Sequence, residues 1–225
     1  MKIIINLFKY CILTLLLCIV CGTGFFYYKY KQVIPNYAIS DTILSVRAHD
    51  NYVPINNIST AFLDSIVAIE DKRFYEHHGL DFISLGRALI TNIYSGEIEQ
   101  GGSTISQQLA KNLFLTQDQT ISRKLKEVCL THYLEEHYTK DDILELYVNV
   151  IYYGNDSTGI YEAASNYFNK LPSELDFSEA TMLAGLPQAP SYYSANPTAA
   201  LIRQNQVIAA VTDYCDTYDD IALAY

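Results

Sequence analysis

The stretch GGSTISQQLAKN, residues 101–112, reads as a glycine turn followed by the first turns of a helix. Thr104 stands where an N-cap belongs, and Gln107 three residues later completes a capping-box pattern, in which each side chain bonds the other's backbone N–H. Ile105, Leu109 and Leu113 recur at helical spacing and give that helix an apolar stripe. Gly101 and Gly102 let backbone approach a ligand closely. Ser103 and Thr104 lie at a helix N-terminus, where free N–H groups favour an anion. Gln107, Gln108 and Lys111 follow, all able to hydrogen-bond a sugar or a phosphate. A capping box alone accounts for Gln107; it accounts less well for Gln108, Lys111 and Asn112 together.

Helical punctuation extends in both directions. Upstream, Phe62, Ile66 and Ile69 mark a helix that ends at Glu70. Asp81 can cap another, with Phe82, Leu85, Leu89 and Ile93 on one face and Gly96 at its close. Downstream, a helix runs from about Ser122 to Tyr138. The next starts at Thr139 with Asp142 in the box position, buries Ile143, Leu144, Tyr147, Val148 and Ile151, and stops at Gly154. Further helices are expected at Ile160–Phe168 and Ser178–Ala184, and a last one at Pro197, a favoured first helical residue. No run of alternating strands, internal repeat or low-complexity segment appears, so the fold class is mainly α. Residues 29–57 mix Tyr, Pro, Asn and β-branched residues and read as a stalk with short extended pieces.

Three segments carry candidate chemistry. In AIEDKRFYEHHGLD, residues 68–81, an apolar helix delivers the carboxylate pair Glu70-Asp71. A carboxyl at such a place can hold its proton to higher pH, which suits acid–base work; a solvated helix end is the ordinary alternative. In SRKLKE, residues 122–127, Arg123, Lys124 and Glu127 share a helix face. That is either a surface ion pair worth about 0.3–0.5 kcal/mol, or a basic clamp beside a second carboxylate. Two separated carboxylates with a clamp suit glycosyl transfer from a pyrophosphate. In KDDILELYVNVIYYG, residues 140–154, Glu145 and Asn149 sit on an amphipathic helix whose ordinary role is support.

Tyr10 to Tyr28 is a run of 19 residues without a charge. A membrane-spanning helix needs about 20 apolar residues, and Phe25 to Lys31 add an aromatic and basic belt suited to the interface. No small-residue cleavage site follows the apolar core, which favours an uncleaved anchor over a signal peptide. Lys2 and Lys9 balance Lys29 and Lys31, so charge counting leaves orientation open. About 190 residues remain, a usual size for one domain. The net charge of -10 argues against nucleic acid as a partner. Cys11, Cys18 and Cys21 lie in the apolar run; Cys129 and Cys215 form no metal or disulfide framework by spacing alone.

Taken in order, EDKRFYEHHG at Glu70–Gly79, Arg87 in GRAL, GGSTISQQLAKN, RKLKE at Arg123–Glu127, KDDILELYVNVIYYG and EATMLAGLPQAPSYYSANP at Glu179–Pro197 resemble the peptidoglycan glycosyltransferases. These comprise the monofunctional transglycosylases and the N-terminal halves of bifunctional penicillin-binding proteins. The resemblance covers roughly residues 55 to 210 and rests on five ordered motifs together with Arg87, far more specific than one short pattern. It implies a lysozyme-like helical glycosyltransferase domain on an N-terminal transmembrane helix. The expected divisions are a cytoplasmic tail 1–9, an anchor 10–28, a stalk 29–54, the catalytic domain 55–213 and an acidic tail 214–225.

The resemblance also implies roles. Glu70 is the general base that takes the proton of the acceptor's sugar 4-hydroxyl; Glu127 assists at the donor, with a divalent cation (Mg or Mn) as an implied companion. Lys111, Arg123 and Lys124 hold the pyrophosphate. Ser103, Gln107, Gln108 and Asn112 line the cleft, and Asp71, Phe74 and His77 shape the base's surroundings. The implied partners are lipid II, the growing lipid-linked glycan, the membrane at its outer face and cell-wall synthesis proteins. One position departs: Gln119 stands where the family usually has arginine. No S-x-x-K or K-T-G motif occurs, so strand polymerisation without cross-linking is expected. A lytic lysozyme relative would need no pyrophosphate clamp, and a non-catalytic lipid II-binding scaffold would have little reason to keep both glutamates.

Overall fold

The computed structural model describes residues 2–95, 102–116 and 118–217. The helices are α1 (Lys2–Val33), α2 (Ile39–Arg47), α3 (Thr60–Glu70), α4 (Phe82–Ser95), α5 (Ile105–Phe114) and α6 (Ile121–His137). They continue with α7 (Lys140–Val150), α8 (Ile160–Phe168), α9 (Phe177–Gly185), α10 (Pro190–Ala195) and α11 (Pro197–Thr217). The expected glycine signals Gly96 and Gly101, and the side chains of Leu89, Ile93 and Cys215, fall outside the described residues.

Local chemistry sets the helix starts. Thr104 and Gln107 form the expected capping box on α5, and Thr139 and Asp142 form another on α7. Asp176 caps α9 through Glu179. Asp81 accepts the backbone N–H groups of Ile83 and Ser84 at 2.9 Å each, which starts α4. Such caps answer donors that have no partner inside the helix.

Two groups of helices pack around the core. α3, α9 and α11 lie against one another, while α5 packs on α6 and α7. Phe62 and Ile66 of α3, Leu109 of α5, Tyr147 of α7 and Leu183 of α9 are fully buried. The C-terminus of α3 therefore points between α5 and α11, and this places Glu70.

The structure departs from the sequence reading at several places, among them α10 (Pro190–Ala195), a helix the sequence does not announce, and α1, which runs on to Val33 through the start of the expected stalk. Residues 39–47, read as part of a stalk with extended pieces, form α2, whose Ile39 and Ile43 enter the core. After Val150 the chain forms a small antiparallel hairpin, β1 (Tyr152–Gly154) with β2 (Ser157–Thr158), where no strand was expected. Asn155 and Asp156 make its turn at φ 50° and 54°, the left-handed region that two-residue hairpins require. The helix before it ends at Val150, ahead of Gly154. Finally, α4 forms as expected, but the large apolar residues described in its first turns face outward: Phe82 is 73% exposed, Ile83 60% and Leu85 52%.

The N-terminal segment Lys9–Asn36 is long and apolar enough to cross a membrane, by length and composition. It packs on α6, where Phe26 and Tyr30 each lie 5.5 Å from the His132 ring and Tyr30 Oη donates to Glu136 at 3.1 Å.

Candidate active site

Glu70 ends α3 because Asp71 leaves helical geometry, at φ -157° and ψ 71°. Asp71 then acts as a strut. One of its oxygens accepts the N–H of Ile105 at 3.0 Å, and His77 Nε2 lies 2.9 and 3.0 Å from its two oxygens. This ties the end of α3 to the start of α5. Phe74 is fully buried behind them, with the Lys140 ammonium 4.4 Å above its ring. Gly79, at φ 85°, closes the segment against Thr131, where a Cβ would stand only 2.8 Å from a methyl.

The Glu70 side chain is 11% exposed. Gln108 Nε2 donates to its Oε2 at 2.7 Å, and Tyr147 Oη donates to Gln108 Oε1 at 3.1 Å. Burial pushes the Glu70 carboxyl above the ordinary range, while the Gln108 bond and the charges of Arg203 and Lys111 pull it back. A carboxylate with a raised proton affinity that can still ionise is suited to proton abstraction.

Glu127 lies one residue away in the bonding pattern of α5. Gln107 Nε2 donates to its Oε1 at 3.3 Å, Arg123 Nη1 donates to its Oε2 at 2.7 Å, and Lys124 reaches Oε1. Adjacent glutamines thus hold the two carboxylates: Gln107 holds Glu127 and Gln108 holds Glu70. The buried Nε of Arg123 has no hydrogen-bond partner among the described residues.

These side chains line two adjoining cavities. One, of about 540 Å³, is bounded by Ser103, Gln107, Gln108, Lys111, Gln119, Arg123, Lys124 and Glu127. The other, of about 830 Å³, runs from Glu70, Asp71 and Arg87 to Gln188, Tyr193, Arg203 and Gln206. Ser103 and Gln108 belong to both, so the two form one cleft. Gly102 shapes it, since a Cβ there would meet Leu85 Cδ1 at 2.9 Å. Of the expected residues, Asn112 is exposed and Phe74 and His77 are buried, and none of the three lines either cavity.

Ligand-type atoms of Asp71, His77 and Asp81 come within 4.8 Å of one another. Each carboxylate already has partners: Asp71 bonds His77 and Ile105, and Asp81 bonds Arg73, Ser84 and backbone N–H groups. Arg73 holds the Asp81 carboxyl well below the usual carboxylate range. The cluster serves as a hydrogen-bonded brace under the base.

Arg203 was not foreseen. It occupies the cleft wall from α11, with Nη2 3.9 Å from Glu70 Oε1. The sequence did hold a signal: Arg203, Val207 and Val211 share one helical stripe, and both valines are buried. A cation on the core-facing stripe of an amphipathic helix needs a reason to be there.

A family model described as Transglycosylase matches residues 38–212. Penicillin-binding protein 1F of Bacillus subtilis is 46% identical over 163 residues, covering 72% of this chain and 23% of that protein. A protein of Cupriavidus necator named as a transglycosylase is 47% identical over 169 residues, covering 74% and 72%. Penicillin-binding protein 1A of Neisseria flavescens is 39% identical over 186 residues, covering 81% and 23%. The chain thus spans about a quarter of the length of the two penicillin-binding proteins. With a helical, lysozyme-like domain and a cleft built on the motif residues, the chain belongs to the transglycosylase family, the peptidoglycan glycosyltransferases.

Proposed function

We propose that this protein polymerises lipid II into linear glycan strands, with Glu70 as general base and the Lys111, Arg123 and Lys124 side chains receiving the departing lipid pyrophosphate. The observation that carries this reading is the pair of adjacent glutamines, Gln107 and Gln108, which hold Glu127 and Glu70 in the two halves of one cleft. One half carries Lys111, Arg123 and Lys124 beside Glu127 and the other holds the base, as transfer from an anionic leaving group to a neutral hydroxyl needs.

In this reading the acceptor's 4-hydroxyl approaches Oε1 of Glu70, whose Oε2 is engaged by Gln108. Glu70 takes the hydroxyl proton as the oxygen attacks the anomeric carbon of the donor from the face opposite the leaving group. The bond from that carbon to the pyrophosphate oxygen breaks, the electron pair leaves with the pyrophosphate, and the configuration inverts. A positioned base is needed because a sugar hydroxyl is a poor nucleophile. Cations fixed in advance stabilise the leaving charge without reorganising. Glu127 orients Arg123 and Lys124, which both bond it. A divalent cation at Glu127 would share that carboxylate with Arg123 and Lys124, and the basic side chains supply charge stabilisation beside it.

The apolar N-terminal helix would anchor the catalytic domain at the outer face of the bilayer, where both substrates keep their lipid tails. The outward apolar residues Phe82, Ile83 and Ile121 beside the cleft suit contact with lipid. The test is polymerisation of labelled lipid II by the full chain and by Glu70→Gln. Polymer from the first and none from the second is expected. Lipid II bound without polymer from either would instead favour a scaffold.

A further inference from the structure

Arg203 approaches the base from α11, which supplies none of the other groups bonded to either carboxylate. Two of its nitrogens are fixed elsewhere. Nε donates to the carbonyl of Gly185 at 3.3 Å, and Nη1 donates to Oε1 of Gln206 at 3.1 Å. Gly185 makes this possible, because a Cβ there would stand 2.9 Å from Arg203 Cγ. The remaining nitrogen, Nη2, stops 3.9 Å from Glu70 Oε1. That is beyond hydrogen-bond distance but well within coulombic reach.

We propose that Arg203 is a positioning residue for the base: braced by Gly185 and Gln206, it keeps the Glu70 carboxylate ionised while leaving Oε1 free for the acceptor hydroxyl. A guanidinium in direct contact would occupy the oxygen that must take the proton. A guanidinium absent altogether would leave a nearly buried carboxylate beside the negative Asp71.

Charged and titratable groups face Glu70 from several elements. Asp71 follows it at the end of α3, Lys111 faces it from α5, Tyr147 and Tyr153 come from α7 and β1, and Arg203 comes from α11. Lys111 and Arg203 are the cations that pull the Glu70 carboxyl down most, and Lys72 and Arg87 line the same cavity as Glu70. Lys111 lines the half of the cleft that holds Glu127, where a bound pyrophosphate would draw its charge. With donor in place, Arg203, the one cation within 4 Å of Glu70 among the described residues, opposes burial and Asp71. The inference rests on Glu70 being the base.

The sign follows from the charge. A cation favours the ionised carboxylate, so removing it raises the proton affinity of Glu70. A base must be ionised to act, so the acid limb of the kcat/KM profile moves to higher pH. The experiment measures lipid II polymerisation by the full chain across about pH 5 to 9, for wild type, Arg203→Gln, Gln206→Glu and Glu70→Gln. Arg203→Gln should move the acid limb up by about one pH unit, a tenfold loss below the limb that fades above it. Gln206→Glu places a carboxylate on Nη1 of Arg203 and should move the limb the same way by a smaller amount. Gln206 is exposed, so this variant tests the proposal even if Arg203→Gln fails to fold. An acid limb that stays in place in Gln206→Glu, and in any folded Arg203→Gln, overturns the proposal while leaving Glu70 as the base. Undiminished polymerisation by Glu70→Gln removes the underlying assignment instead.

Discussion

Gln108 Nε2 donates to Glu70 Oε2 at 2.7 Å, and the amide that makes this bond is itself fixed by the Tyr147 hydroxyl at 3.1 Å. The bond leaves one carboxylate oxygen for chemistry and opposes the effect of burial on the other. Gln108→Leu should therefore lower kcat/KM by about 10²-fold, within the range for a misplaced general base. Tyr147→Phe removes only the second link and should lower it less than about tenfold. Steady-state polymerisation of lipid II measures both. A Tyr147→Phe loss as large as that of Gln108→Leu would mean the phenol acts on more than the amide.

Lys111 and Arg123 line the same half of the cleft but differ in what else they hold. Lys111 is half-buried and makes no ion pair among the described residues, whereas Arg123 bonds the buried Glu127. Lys111→Ala should lower kcat/KM by about 10²-fold while changing stability by less than about 0.5 kcal/mol. Arg123→Ala should lower activity similarly and also destabilise, by about 1–3 kcal/mol, because a buried carboxylate loses a partner. Thermal unfolding beside the activity assay separates the two. Equal melting temperatures for both variants would show that the Arg123–Glu127 pair carries little of the fold.

The contrast marks what a sequence can and cannot reveal. Thr104 with Gln107, and Thr139 with Asp142, were legible because a capping box lies within four consecutive residues. The α2 helix was not, because Ile39, Thr42, Ile43 and Val46 carry β-branched side chains that disfavour helix, and Pro35 and Asn36 precede it. Burial of Ile39 and Ile43 outweighs that propensity. The hairpin after α7 has strands of three and two residues, too short for alternation to show, although Asn155-Asp156 was a turn signal. In the cleft, Glu70 and Glu127 stood out by motif. Arg203 did not, because its relation to Glu70 exists only once α11 packs on α3.

Gln119 tests how far the clamp can be strengthened. It is exposed on the cleft wall that also carries Lys111 and Arg123. A guanidinium there can fork onto a phosphate, which an amide cannot do with charge. Gln119→Arg should lower KM for lipid II by about three- to tenfold at low salt, with a smaller change in kcat, and the gain should shrink as ionic strength shortens the screening length. Kinetics at two salt concentrations check this. An unchanged KM at low salt would place Gln119 out of reach of the pyrophosphate.

Asp64 makes a separate prediction about stability. It lies on α3, half-buried, and desolvation raises its carboxyl to about 6, with no other cause contributing. No hydrogen bond or ion pair compensates it among the described residues. The ordinary unfolded value is about 3.9, so the unfolded chain ionises first as pH rises. The folded state then binds more protons than the unfolded state between about pH 4 and 6, and stability falls across that window. Above it the full penalty stays. After allowance for partial exposure this is about 1–2 kcal/mol. Asp64→Asn should therefore stabilise the protein by that amount at pH 7.5, little at pH 4, and flatten the fall in melting temperature between them. Thermal unfolding of both forms at the two pH values measures it, and equal stabilisation at both would assign the effect to packing instead of charge.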